Sequence, residues 1–329
     1  MNRLFRWDQM GLFLLALAAG ILPFAVPEVC AAALREGLTL CSGPLLLSLF
    51  PFLVVSRLLI QCPESDLLAL PFRLAAWGIG IRTPCAARVL CIGFLGGFAP
   101  AASAAAQAVR TGQLTAEEAD ALLPACICSG PSFVVLTVGQ SLLGSAELGV
   151  LLFAAQITAN YLTAALLNRF AGVRSVKPGS AAPASPAPPR LDEILADAAI
   201  TYCKLCGFIL FFRLLAAGAG ALLPAGAGTL CAILLEVCSG CDLASRTGRW
   251  GSLLCCAALS VQGLSVLLQV RTICPPEMTL RPLYWARMLH LPLSLALFYL
   301  LLPGGEADVF STLPARVLLM RRGAPGCGP

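Results

Sequence analysis

The chain alternates between long apolar runs and short polar segments, and most of the runs are long enough to cross a membrane. A helix of about 20 consecutive apolar residues spans a bilayer. Gly, Pro and Ser interrupt several runs: "CSGP" occurs at 41–44 and 128–131, and "CSGC" at 238–241. The pattern predicts an all-α polytopic membrane protein with about seven to nine membrane segments. The apolar runs lie at 11–27, 43–60, 85–108, 124–143, 146–168, 204–223, 226–244, 250–270 and 288–302.

Composition supports a membrane protein. Of the 329 residues, 58% are apolar and only 12% are charged. A soluble domain of this length cannot bury so much apolar surface, whereas lipid can cover it. We therefore expect a multi-pass protein of the cell membrane whose immediate partners are lipids. The net charge of +5 fits the Lys and Arg bias of cytoplasmic loops and does not indicate nucleic acid binding.

A change in composition divides the chain. "GVRSVKPGSAAPASPAPPRLD" (172–192) is rich in Pro and small residues, which is typical of a linker. The N-terminus has a basic start and a short apolar core, as in a signal peptide, but a first membrane helix accounts for the polytopic pattern directly. The expected organisation is an N-terminal transmembrane helix at 1–37, a membrane repeat at 38–171, the linker at 172–192, a second repeat at 193–303 and a flexible tail at 304–329.

The two membrane halves share three short patterns in the same order, which predicts an internal repeat. With the N-terminus inside and hairpins at 85–108 and 226–244, most Lys and Arg residues, including Arg287, fall on the cytoplasmic side. The two repeats then have opposite orientations in the membrane, as in many secondary transporters. The matching patterns are "VVSRLLI" (54–60) with "LFFRLLA" (210–216), "GGFAPAAS" (96–103) with "SGCDLAS" (239–245), and "SGPSFVV" (129–135) with "QGLSVLL" (262–268).

Interrupted helices and hairpin tips at matching positions define the candidate site. A broken helix in lipid leaves backbone groups unpaired, so breaks persist where they line a cavity or pack within protein. In inverted-repeat transporters such breaks mark the substrate site. The residues expected to bind a solute are Ser129, Gly130, Pro131, Ser132, Glu236, Ser239, Gly240, Gln262, Gly263 and Ser265, with hairpin tips at Gly96, Gly97, Pro100 and Asp242.

Glu236 is the sharpest candidate because it ends the apolar run of "LCAILLEVCSGCDLAS". A carboxyl group at membrane depth is costly and indicates a functional role by default. Such a group suits binding of a cationic or hydroxyl-rich solute, or transfer of a coupling proton. The alternative is a structural ion pair with Arg213, which lies inside the apolar run "FILFFRLLAAG".

Other polar residues fit structural roles. Gln156 and Asn160 are four residues apart, share one helical face and suit hydrogen bonding between helices. His290 lies near the cytoplasmic start of the last apolar run, where we expect an interfacial role. Thr115 and Glu118 have the spacing of a capping box at the solvated start of a helix.

No catalytic or cofactor motif is found in the sequence. There is no phosphate-binding loop, zinc motif or nucleophile elbow, so we expect no enzyme activity, no cofactor and no metal site. Most of the 16 cysteines lie in apolar runs, where Cys behaves as a small hydrophobe. The pairs Cys203/Cys206 and Cys238/Cys241 have the spacing of metal or redox pairs, but no His lies near either of them.

Several stretches resemble a known family. They include "GFLGGFAPAASAAAQAVRTGQLTAEEADALL" (93–123), "SGPSFVVLTVG" (129–139), "LLEVCSGCDLAS" (234–245) and "SVQGLSVLLQV" (260–270). Across about 70–302 the sequence resembles sporulation integral membrane proteins of the YlbJ type, within the nucleoside-recognition or Gate domain superfamily. The resemblance implies a bacterium that forms endospores and a role in forming the spore envelope, or cortex.

Two functions are compatible with these features. The first is a sporulation-associated membrane protein with a transporter- or channel-like core that passes a small polar solute. The second is a non-transporting membrane scaffold for envelope assembly, with other sporulation membrane proteins as its partners.

Overall fold

The computed structural model describes residues 2–61, 65–172 and 190–302, and all regular structure within them is helical. The predicted all-α class is confirmed for these residues. The helices are α1 Asn2–Ala25, α2 Pro27–Ser42, α3 Pro44–Gln61, α4 Ser65–Leu68, α5 Leu70–Gly78, α6 Pro84–Gly96, α7 Phe98–Arg110, α8 Ala116–Cys126, a π-helix Ser132–Leu142, α9 Ala146–Ala171, α10 Leu191–Leu222, α11 Ala225–Leu235, α12 Val237–Ser245, a 3-10 turn Gly248–Trp250, α13 Gly251–Val261, α14 Gly263–Ile273 and α15 Arg281–Leu301.

Membrane-spanning potential is concentrated in a few of these elements. Among the described residues, four helical stretches are long and apolar enough to cross a membrane: Pro27–Ile60, Ala146–Ala171, Leu191–Leu222 and Gly248–Ile273. Shorter apolar helices cover most of the other predicted runs, including α6, α11 and the π-helix. α15 covers the last run without being one of the four.

Some expected boundaries differ from the observed ones. α2 begins at Pro27 and continues to Ser42, so the expected boundary at 37 falls inside this helix. Gly172, in the left-handed region at φ +62°, ends α9, and α10 begins at Leu191. The rest of the expected linker and the tail at 304–329 lie outside the described residues.

α2 and α3 pack against α10 and run antiparallel to it. Arg57, near the end of α3, pairs with Asp197, near the start of α10, with 2.6 Å between Nη1 and Oδ2. Arg213, near the end of α10, pairs with Glu36 of α2, with 2.7 Å between Nη2 and Oε2. The two ion pairs are reciprocal, since α10 supplies one acid and one arginine while α2 supplies the other acid and α3 the other arginine, and together they favour a single register.

A second antiparallel pair, α9 with α15, carries buried polar contacts. As expected, Gln156 and Asn160 bind helices together: Gln156 Nε2 donates to Ser260 Oγ (3.0 Å), and Asn160 Oδ1 accepts from Arg287 (3.1 Å). The expectation that His290 lies at the membrane interface is wrong. Its side chain is fully buried at 0% exposure, because α15 packs on α9 and Nε2 lies 3.2 Å from the Gln156 carbonyl oxygen.

α8 begins with the predicted capping box, since Thr115 Oγ1 accepts from the backbone N–H of Glu118, and the Glu118 carboxylate accepts from the backbone N–H of Thr115. Thr115 and Glu117 at the start of the helix are exposed, as expected, whereas Glu118 and Asp120 are buried. Asp120 accepts hydrogen bonds from the N–H groups of Thr279 (2.8 Å) and Leu280 (3.1 Å). This carboxylate therefore holds the loop that leads into α15.

Replacing Asp120 with Ala is expected to destabilise the protein by about 2 kcal/mol, because each buried donor left without a partner costs about 1–3 kcal/mol. The buried N–H of Leu280 is the principal group affected. Thermal unfolding of the purified chain in neutral detergent measures the loss. The matched control is Glu117→Ala on the exposed side of the same helix. Equal losses in the two variants would contradict the anchoring role of Asp120.

Candidate functional site

Two helical hairpins and two interrupted helices form the centre of the molecule. α6 packs against α7, and the chain turns between them at Gly97. α11 packs against α12, and the chain turns between them at Glu236. The backbone between α8 and the π-helix is non-helical at 127–130. α13 and α14 are separated at Gln262, which lies in the left-handed region at φ +65°.

Each hairpin tip contacts the helix break that follows it in the chain. A Cβ atom on Gly97 would lie 2.6 Å from the Gly130 backbone nitrogen, and one on Gly263 would lie 2.9 Å from the Glu236 backbone nitrogen. Gly97 has φ +82° and ψ −164°, a conformation that is essentially restricted to glycine. Both contacts therefore depend on a missing side chain.

The two breaks also contact each other. Gln262 Nε2 donates to Ser129 Oγ at 3.4 Å and to the Leu259 carbonyl oxygen at 2.7 Å. The second bond satisfies a carbonyl group that the end of α13 would otherwise leave unpaired. Gln262 thus joins the first break to the second.

A small cavity of about 50 Å³ lies between the hairpin tips and the first break. Five of the expected site residues line it: Gly96, Ser129, Gly130, Ser132 and Glu236. Val237 and Cys238, at the start of α12, line it in place of Ser239 and Gly240. Its other polar side chain is Gln269, and apolar groups from α3, α7, α10 and α14 complete it.

The predicted position of the second hairpin tip is wrong. Ser239, Gly240 and Asp242 lie inside α12, because the Glu236 side chain caps this helix and lets it begin at Val237. Asp242 instead pairs with Arg246 in the following loop at 2.7 Å. Hydrogen bonding to Asp242 raises the pKa of the Arg246 guanidinium, which keeps this arginine positively charged.

The remaining expected residues have other positions. Pro100 lies in the first turn of α7, beyond the Gly97 tip. Pro131 immediately precedes the π-helix, where its ring removes a backbone donor. Gly263 and Ser265 begin α14, and Ser265 Oγ accepts a hydrogen bond from Gln269 Nε2 at 2.8 Å.

Glu236 is a buried carboxylate held by helix backbone. It is 2% exposed; Oε1 accepts from the N–H of Cys238 (2.8 Å) and Oε2 from the N–H of Ser239 (2.7 Å). The N-terminal end of a helix favours a negative charge. The alternative pairing with Arg213 is not observed, because Arg213 binds Glu36. Within the described part of the chain Glu236 has no ion pair.

Several buried polar atoms near the breaks have no hydrogen-bond partner. They are Oε1 of Gln269, Oε1 of Gln262 and Oγ of Ser239. Gln269 is 1% exposed and lines the cavity. An unpaired buried polar atom costs free energy, so these atoms indicate acceptor positions for a group that donates hydrogen bonds.

Arg287 is a central residue that sequence reasoning assigned to a cytoplasmic loop. It is 7% exposed and donates to the carbonyl oxygens of Ile127 (3.2 Å) and Ser260 (3.4 Å). These carbonyls lie at the ends of α8 and α13, where a positive charge is favoured. Residue spacing could have indicated this buried position. Arg287 and His290 share one face of α15, and they contact Asn160 and Gln156, which share one face of α9.

The C-x-x-C pairs do not form a metal site in the structure. Among the described residues, no group of three or more His, Cys, Asp or Glu side chains is arranged to hold a metal ion. Cys238 and Cys241 belong to α12, and Cys241 is buried against Cys255 of α13.

Comparison with known proteins gives no relative: no protein-family model, curated protein or solved structure matches the chain. The functional interpretation therefore depends on the geometry of the site itself. That geometry combines a capped carboxylate, an unpaired amide oxygen on Gln269 and interrupted backbone around one cavity.

Replacing Gly97 with Ala is expected to destabilise the protein by about 3 kcal/mol, because a methyl group would meet the Gly130 backbone in addition to the backbone strain. The matched control is Gly144→Ala. Gly144 has φ +75° but open space around the new methyl group, so only about 1–2 kcal/mol of backbone strain is expected. Thermal unfolding in neutral detergent measures both variants, and equal losses would contradict the importance of the tip contact.

Proposed function

We propose that this chain is a membrane transport protein that binds a small polar solute between its hairpin tips and its first helix break. The observation that carries the proposal is Glu236, a buried carboxylate without a cationic partner among the described residues, at the point where interrupted backbone meets a cavity. Non-helical backbone at membrane depth is tolerated where it lines a cavity or is buried in protein. Discontinuous helices of this kind form solute sites in secondary transporters.

We further propose that the two halves are inverted repeats with equivalent elements. In this assignment the α2–α3 stretch corresponds to α10, the α6–α7 hairpin to α11–α12, the broken α8 and π-helix to α13–α14, and α9 to α15. Three observations support it. The corresponding long helices run antiparallel, each hairpin tip contacts its own break, and α7 packs on α14 as α12 packs on the π-helix.

The proposed solute is one that donates hydrogen bonds, such as a hydroxyl-rich or cationic molecule. Glu236 offers carboxylate oxygens, and Gln269 offers an unpaired amide oxygen on the same cavity. The cavity volume of about 50 Å³ holds only a few water molecules, since one water needs about 10–15 Å³ of such space. In the proposed mechanism this is the closed conformation, and a hairpin moves to admit solute, as alternating access requires.

The small cavity is also the observation that favours the second candidate, a non-transporting membrane scaffold. A scaffold needs no solute-sized space. For either function, the proposed role in spore envelope formation rests on the sequence resemblance, and the proposed location is the cell membrane with several passes.

The substitution Glu236→Gln removes the charge of this side chain. We expect it to abolish function while the amount of the protein in the membrane changes little. In a strain lacking the protein, the wild type should restore heat-resistant spores, whereas Glu236→Gln, present at the same level in the membrane, should restore at least about tenfold fewer because the solute loses its charged partner. Glu236→Asp is the matched control, since Asp keeps the charge and is a good helix cap.

The same variants separate transport from scaffolding. Solutes that donate hydrogen bonds are screened for stabilisation of the purified wild type; a solute at about 100 times its Kd adds about 2.7 kcal/mol. Stabilisation lost in Glu236→Gln supports transport. Full rescue by Glu236→Gln, together with partner proteins that co-purify with both forms, would favour the scaffold. If the wild type has no sporulation defect to rescue, the sporulation role is wrong.

A further inference from the structure

We propose that a second, polar cavity, lying between α3, α7, α10 and α14, binds a phosphate-bearing anion. The cavity has a volume of about 190 Å³. Its charged lining consists of Arg57, Arg110, Lys204 and Asp197, so three cations face one carboxylate. The proposal is independent of the solute site, because none of these residues lines the cavity at Glu236.

Arg57 lines this cavity and also has a donor that its ion pair does not use. Its Nη1 binds Asp197 at 2.6 Å, and its side chain is 12% exposed. Its Nε atom is buried and has no hydrogen-bond partner. A guanidinium group presents its N–H groups as a rigid fork that matches phosphate oxygens. The ion pair with Asp197 therefore engages one nitrogen of the fork, and the buried Nε keeps no partner among the described residues.

Within the described parts of the chain, neither of the other two cations forms an ion pair with a carboxylate. Arg110, the last residue of α7, donates to the carbonyl oxygen of Ile273 at 3.5 Å, a long hydrogen bond. Lys204 is exposed on α10 and lines the same cavity. Ser103 and Thr201, which carry hydroxyl groups, also line the cavity. This lining combines positive charge with hydrogen-bond donors, as phosphate recognition requires.

A comparable cavity elsewhere in the molecule lacks this excess of charge. It has a volume of about 380 Å³ and is lined by Glu36, Arg213, Asp242 and Arg246. Both of its arginines are paired, Arg213 with Glu36 and Arg246 with Asp242, each at 2.7 Å. Two cations balance two carboxylates there, so the Arg57 cavity differs from this one in its excess of positive charge.

The position of the cavity suits a phosphate at the membrane surface. Arg110 ends α7, Ile273 ends α14, and Arg57 lies in the last turns of α3. Helix ends of apolar spans lie near lipid headgroups, and basic pockets between spans bind anionic headgroups on the cytoplasmic side. The phosphate could equally be a soluble anion, and the two sources are distinguished by experiment.

The test compares wild type with the double variant Arg110→Gln/Lys204→Gln, in which both changed residues are exposed. The control is Arg246→Gln in the balanced cavity. The purified full chain in neutral detergent is titrated with phosphatidylglycerol, phosphatidylcholine or inorganic phosphate, and the melting temperature is recorded. Wild type and Arg246→Gln should be stabilised by phosphatidylglycerol and not by phosphatidylcholine, and the double variant should need at least about tenfold more phosphatidylglycerol.

Each outcome has a defined meaning. Stabilisation by phosphatidylglycerol alone identifies a lipid headgroup as the phosphate. Stabilisation by inorganic phosphate that is lost in the double variant identifies a soluble phosphate. A wild type that responds to neither, or a double variant that responds like wild type, overturns the anion site.

Discussion

A helix that ends inside an apolar region leaves its terminal N–H and C=O groups without water, so every one of them needs a partner from the protein. The chain meets this requirement with charge. Glu236 accepts from the first N–H groups of α12, and Arg287 donates to carbonyls at the ends of α8 and α13. Each charge lies at the end of the helix dipole that favours it, which accounts for two buried ionisable groups that have no ion pair with each other.

Arg287 makes the two broken helices depend on one element. Its contacts reach the ends of both α8 and α13, and Asn160 of α9 holds the same guanidinium. α15, which carries Arg287, is itself positioned by Asp120 through the loop before it. A displacement of α15 would therefore unpair carbonyls in both halves at once. This arrangement ties α8, α9, α13 and α15 together around one guanidinium group.

Apolar length and helix-breaking residues were sufficient to predict the helical class and the second break at Gln262–Gly263. They were not sufficient for residues whose role depends on a distant contact. Gly240 was expected to bind the solute, yet a Cβ there would lie 2.8 Å from the Ile233 Cα; this glycine permits close packing of α12 on α11. Arg287 was assigned to a loop because a charge near the end of an apolar run has the same pattern whether it faces water or a buried carbonyl.

The capping of Glu236 has a consequence for the proposed transport. Both carboxylate oxygens already accept N–H groups of α12, so a solute that donates to Glu236 competes with the helix start for the same atoms. Gly263 of the second break packs directly against the Glu236 backbone at the tip of the α11–α12 hairpin. A movement of this hairpin tip would therefore displace the second break as well. Solute binding would thus weaken the cap and loosen the α11–α12 turn, which links occupancy of the site to movement of the hairpin. A site whose binding groups had no partner in the protein would lack this coupling. Solute binding shifts a conformational equilibrium only when the two conformations differ in their affinity for the solute.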